Sequence, residues 1–236
     1  MNPSALRSRL AAFDLEAHCK DLRTREQPDD VLLRIGLDGQ ERVWEPAEIC
    51  WFHATRVPRS TDFRARGILP VSQSANTLWA TLRAIDPQPP ADSEWAQFRS
   101  LVESGQLGEW ADKYAIKQKL PGPFAFLIRE ELDHFGETGS VDYFAAPETI
   151  EDICLCYEMV FGPDLLGTYR AATRPCVVKF VDPRPERVMG TVARYIYAQE
   201  HGEDAHDVNT CFDSKGIAIR PDQILDVQWI APTERA

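Results

Sequence analysis

The stretch Ile49-Cys50-Trp51-Phe52-His53-Ala54-Thr55, continued by Arg56-Val57-Pro58-Arg59-Ser60-Thr61-Asp62-Phe63-Arg64-Ala65-Arg66-Gly67-Ile68-Leu69, decides the fold. Its first half is apolar without alternation, as in a strand covered on both faces. The strand is expected to end in the polar triplet His53-Ala54-Thr55. A charged loop follows, then a short helical turn closing on Gly67-Ile68-Leu69-Pro70. His53 and Thr55 stand two apart, so on a regular strand an imidazole and a hydroxyl face the same side. That pairing can serve one ligand.

The surroundings bound what such a strand can belong to. The chain has 236 residues, 44% of them hydrophobic and 27% charged, which suits one large domain or two small ones. Its net charge of −11 repels phosphate backbones and argues against a general nucleic-acid-coating role. The arginines Arg56, Arg59, Arg64 and Arg66 still form a local basic cluster. No run of apolar residues approaches the ~18 that a membrane helix needs. The N-terminal MNPSALRSRLAAF lacks the apolar centre of about 7–15 residues that marks a signal peptide. The six cysteines show neither zinc nor disulfide spacing. Cys154 and Cys156, two apart on a helix, point to different sides, which disfavours a metal site with Cys176. A reducing, cytoplasmic setting without a membrane partner is the expectation.

In chain order, the pattern predicts a helix over Ala5–Arg25. A hairpin then pairs Val31–Ile35 with Glu41–Trp44 about Asp38-Gly39. Beyond the opening strand, a helix through Leu78, Trp79, Leu82 and Ile85 is expected, capped by Ser72 or Ser74. A helical insertion covers about residues 93–119. Phe124–Ile128 reads as a strand. Pro147, Glu148 and Glu151 start a helix, and a second one covers Asp164–Ala171. Cys176–Val181 is a strand, Pro185–Glu200 a helix, and Gly216–Ile219 and Ile224–Ile230 two closing strands. Helices lying between strands at either end indicate an α+β domain spanning 1–236, not regular βαβ alternation.

Three short motifs give this pattern a resemblance. His53-Ala54-Thr55 with the turn at Gly67-Ile68-Leu69-Pro70, Ser140-Val141-Asp142-Tyr143, and Ile217 through Leu225 resemble the corresponding parts of the ADP-ribosyltransferase fold, as in diphtheria toxin, poly-ADP-ribose polymerases and DarT-type toxins. The resemblance implies a mixed or antiparallel split β-sheet core with inserted helices. It also implies NAD as bound substrate and transfer of ADP-ribose to a macromolecular acceptor, protein or nucleic acid, in a toxin or defence effector. By the same resemblance His53 and Thr55 hold the nicotinamide ribose and amide, and Tyr143 stacks on the nicotinamide. Ser140 and Arg64 join them in binding NAD. The family's catalytic glutamate, at the start of the penultimate strand, falls on Lys215 or Gly216, with Asp213 close by. Glu148 is the carboxylate expected to replace it; otherwise the chain is an inactive relative working through a protein partner. Taken without the resemblance, His53 also fits a half-buried hydrogen-bonded histidine, Tyr143 a core aromatic and Glu148 the favoured charge at a helix start.

Overall fold

The computed structural model describes residues 3–17, 27–37, 49–119, 122–130, 132, 142–182, 188–203 and 211–231. Two helices come first, α1 (Pro3–Ala11) and α2 (Pro28–Leu37), then strand β1 (Ile49–Val57). A four-residue turn, α3 (Phe63–Arg66), leads to α4 (Val71–Ile85), α5 (Asp92–Glu103) and α6 (Glu109–Lys117). Strand β2 (Phe124–Phe126), helices α7 (Glu148–Phe161) and α8 (Leu165–Ala172), and strand β3 (Arg174–Asp182) follow. Helix α9 (Met189–His201) and strands β4 (Cys211–Asp213) and β5 (Ile224–Trp229) close the described chain. Among the described residues the five strands form one sheet in the order β4-β2-β1-β3-β5, with every neighbouring pair antiparallel. The chain is therefore α+β.

The opening strand is the sheet's centre. It runs past the polar triplet to Val57, pairing with β3 along its whole length from Ile49↔Asp182 to Val57↔Arg174. Alternation sorts its side chains. Trp51, His53 and Thr55 stand opposite Phe180, Val178 and Cys176 and share one face. That face builds a core with Phe63, Ile68, Met189 and Phe212. Phe52 and Ala54 share the other face with Val177, Phe126 and Leu132. A separate helical core joins α4 to α8. Trp79 there meets Trp95 and Phe98 edge-on, each at 5.8 Å, and donates from Nε1 to Tyr114 Oη at 3.1 Å. Helices α1, α2 and α9 form a third cluster through Leu6, Leu10, Leu32 and Tyr197.

Several sequence expectations change. Val31–Ile35 is helical, not a hairpin strand: Pro28 opens α2 with Asp29 and Asp30 in its first turn. These helix-start signals act locally and outrank the Asp38-Gly39 turn, which lies outside the described residues with Glu41–Trp44. The first helix ends at Ala11, helical backbone resumes at residues 15–17 after a break, and residues 18–26 lie outside the described set. Neither serine caps α4; Pro70 holds the cap position, and Ser74 Oγ donates back to Pro70 O at 3.1 Å. Gly216–Ile219 is not a strand. Lys215 (φ 59°) and Gly216 (φ 80°) turn the backbone out of extended geometry, and Ile219 alone makes a bridge, to Ile68. The edge of the sheet is taken by Cys211–Asp213 instead. The helix expected from Pro185 begins at Met189, with residues 183–187 outside the described set.

The turn after β1 forms as its residues dictate. Asp62 caps α3 by accepting from the amides of Arg64 at 2.9 Å and Ala65 at 3.1 Å. Gly67 ends it at φ 71°, and a Cβ there would lie 2.0 Å from the Ile219 carbonyl oxygen. Only glycine lets the two segments meet, and Ile68 and Ile219 then exchange two backbone bonds of 2.9 Å.

Candidate functional site

The junction between β1 and β2 sets the position of His53. The two strands register at Phe52↔Phe126. One residue further, the imidazole spans the gap, and its Nδ1 lies 2.7 Å from the Phe124 carbonyl oxygen. A carbonyl only accepts, so the proton sits on Nδ1 and Nε2 carries a lone pair. Burial lowers the His53 pKa below 6.5, against the opposing effect of the Phe124 carbonyl, and keeps the ring neutral. Nε2 has no partner among the described residues.

His53 and Thr55 open into a groove of about 370 Å³, within the ~300–1,000 Å³ typical of small-molecule sites. One wall is the turn from Phe63 to Leu69 and another is the α4 stripe Ser74, Thr77, Leu78 and Thr81. The start of α7, through Pro147, Thr149 and Ile150, closes the end. The lining carries Arg56 and Arg66 and, among the described residues, no carboxylate. The Thr55 side chain is buried and makes no hydrogen bond among the described residues, so its hydroxyl is available to a ligand. Sequence reasoning missed the α4 hydroxyl stripe, although its spacing of three to four residues marks one helix face.

Tyr143 is not in this groove. It packs on Phe126 at 5.8 Å between ring centroids, within the cluster on the other sheet face. Its hydroxyl donates to Glu148 Oε1 at 3.4 Å, and burial, with the Glu148 charge second, pushes its pKa up to about 12. Glu148 begins α7, but its other carboxylate oxygen is held by Lys117 Nζ at 2.9 Å. Lys117 also bonds Asp152 at 2.8 Å, forming a bridge between α6 and two turns of α7. Asp152 is almost fully buried, and its desolvation raises its pKa although Lys117 opposes the shift. Glu148 is thus engaged in joining helices. Asp213, the carboxylate nearest the family's glutamate position, ends β4 opposite Phe124. It is bonded to its own neighbour, Lys215, at 2.8 Å, which lowers its pKa despite partial desolvation. Opposite Phe124, it shares the face of Phe126, away from His53.

The arginines also divide. Arg64 donates to the Leu225 carbonyl at 2.9 Å and so straps α3 to β5, whereas Arg66 lines the groove. Ser140 lies outside the described residues. The structure therefore brings His53 and Thr55 together on one sheet face and sets Tyr143 and Asp213 on the other, while Glu148, between the groove-lining Pro147 and Thr149, is held by Lys117 and Tyr143. No group of His, Cys, Asp and Glu suited to a metal occurs among the described residues. No helix among them is long and apolar enough to cross a membrane. Comparison with protein-family models, with curated proteins and with solved structures gives no match to this chain.

Proposed function

We propose that the His53 groove holds NAD, or a nucleotide built like it, in an ADP-ribosyltransferase-like protein. The observation that carries the reading is the orientation of His53. Its Nδ1–H is spent on the Phe124 carbonyl, so a lone pair on Nε2 is presented beside the Thr55 hydroxyl in a groove lined by arginines. A neutral imidazole acceptor next to a hydroxyl suits the hydroxyl groups of a ribose, and Arg66 suits the adjoining phosphates.

Transfer of ADP-ribose to an acceptor asks for more. Breaking the glycosidic bond develops positive charge on the ribose, which a fixed carboxylate would stabilise. The described lining offers none, and Glu148 is bonded to Lys117 and Tyr143. This observation favours a second reading beside the first: a relative that binds the nucleotide without turning it over and acts through a protein partner. Calorimetry with NAD and with ADP-ribose, followed by an assay of nicotinamide release, tests both. Binding with release supports the transferase, and binding without release supports the inactive relative. Absence of binding to either nucleotide refutes the groove assignment.

A further inference from the structure

A second cleft, of about 410 Å³, lies where β1 ends and β3 begins. Its lining includes Arg56, Arg59, Arg170 and Arg174 against, among the described residues, one carboxylate, Asp142. In a chain of net charge −11, four converging arginines stand out. Their bonding separates two roles.

Arg56 is a strut. Its Nε donates to Thr173 Oγ1 at 3.0 Å, Nη1 to Phe144 O at 2.7 Å, and Nη2 to Arg170 O at 2.7 Å and Thr173 O at 3.3 Å. It ties β1 to the end of α8 and to the turn before α7. Asp142 is likewise committed inward: Oδ1 accepts from the amides of Phe144 at 3.0 Å and Ala145 at 3.1 Å. Arg170 reaches Glu151 only at 3.4 Å and is 44% exposed. Arg59 and Arg174 have no partner among the described residues. Pairing of β1 with β3 sets Arg174 opposite Val57, two residues from Arg59, so the two free guanidinium groups flank one opening.

We infer that this cleft is a phosphate-binding site, in which Arg59 and Arg174 grip a phosphate or diphosphate group and Arg170 supports them. Planar guanidinium groups take phosphate oxygens in pairs, which suits two unpaired arginines facing one cavity. Burial lowers the Arg56 pKa against the opposing effect of Tyr169, and the like charge of Arg170 adds to the lowering. An anion relieves that repulsion. The site is distinct from the His53 groove, because Arg56, which borders both, directs its guanidinium into protein carbonyls.

The phosphate can belong to a small molecule or to a nucleic acid strand, and the test separates them. Inorganic pyrophosphate is titrated by calorimetry and a fluorescent single-stranded oligothymidylate by anisotropy, both at low salt. The variant is Arg59→Glu/Arg174→Glu, with circular dichroism to establish folding. Wild type is expected to bind, with affinity falling as salt rises, and the double variant to lose tenfold or more. The double variant leaves the His53 groove untouched, so its loss of binding places the phosphate in this cleft whether or not the groove takes a nucleotide. Pyrophosphate binding alone assigns the site to a small phosphorylated ligand, and tighter oligonucleotide binding assigns it to a strand. No binding of either probe by wild type, or equal binding by the folded double variant, overturns the inference. Should the double variant fail to fold, Arg59→Gln and Arg174→Gln are measured singly, and wild-type affinity in both overturns it equally.

Discussion

Replacing His53 by alanine and by asparagine separates the two jobs that its ring nitrogens perform. Nδ1 closes the β1–β2 junction through a 2.7 Å bond to the Phe124 carbonyl. Alanine deletes that bond and leaves the carbonyl unpaired beside a void. A net hydrogen bond plus a partly stranded acceptor amounts to about 2 kcal/mol. In urea, with a slope of about 2 kcal/mol per molar, the midpoint should fall by about 1 M. Asparagine sets an amide N–H close to where Nδ1 stood and should retain most of the stability, within about 0.5 kcal/mol of wild type. Neither variant keeps the Nε2 lone pair, so both should lose NAD binding. Urea unfolding followed by fluorescence, with calorimetry on the same samples, reads both properties. If His53→Ala is as stable as wild type, the imidazole does not hold the junction. If His53→Asn binds NAD normally, Nε2 is not the contact.

Gly67→Ala should be severely destabilising, by about 2 kcal/mol or more, because it adds left-handed strain to a Cβ placed 2.0 Å from the Ile219 carbonyl oxygen; thermal unfolding checks it. Lys117→Met strands the buried Asp152 carboxylate and should cost about 3 kcal/mol. The Asp152 pKa is raised in the fold, so the folded state holds its proton to higher pH than the unfolded chain does and stability falls as pH rises through the folded value. The deficit of Lys117→Met should therefore shrink as pH falls through the raised Asp152 value toward its unfolded one, read as the difference in unfolding midpoint from wild type. For His53 the direction is opposite: its folded pKa is lowered, so stability from the neutral ring is complete above 6.5 and lost as pH falls from there through the folded value. NAD affinity should be flat above that point and decline on acidification, measured by calorimetry across pH.

The stretch from Ile49 to Leu69 was legible because its signals are local and mutually consistent. The unbroken apolar run made β1, Asp62 capped α3, and Gly67 took the left-handed turn. The helices from Val71 to Lys117 followed from the spacing of residues such as Trp79, Leu82, Trp95 and Phe98. Val31–Ile35 misled because a short apolar run fits a strand and a buried helix equally, and the helix-start residues Pro28, Asp29 and Asp30 carried the decision. The pairing of His53 with Thr55 was visible in their spacing. Their separation from Tyr143 was not, because it depends on which sheet face a distant turn is packed against. The arginine cleft was half visible. Arg56 and Arg59 stood in the basic run, but Arg174 enters it only through the pairing of β1 with β3, and Arg170 through the end of α8 packed beside it.

The most direct test is nitrogen NMR of the His53 imidazole during titration with NAD, near neutral pH. A neutral ring with its proton on Nδ1 is expected in the free protein. Added NAD should move the Nε2 resonance as that nitrogen accepts a hydrogen bond, and leave Nδ1 almost unchanged. A proton found on Nε2, or a His53 signal that does not move at saturating NAD, would contradict the groove assignment.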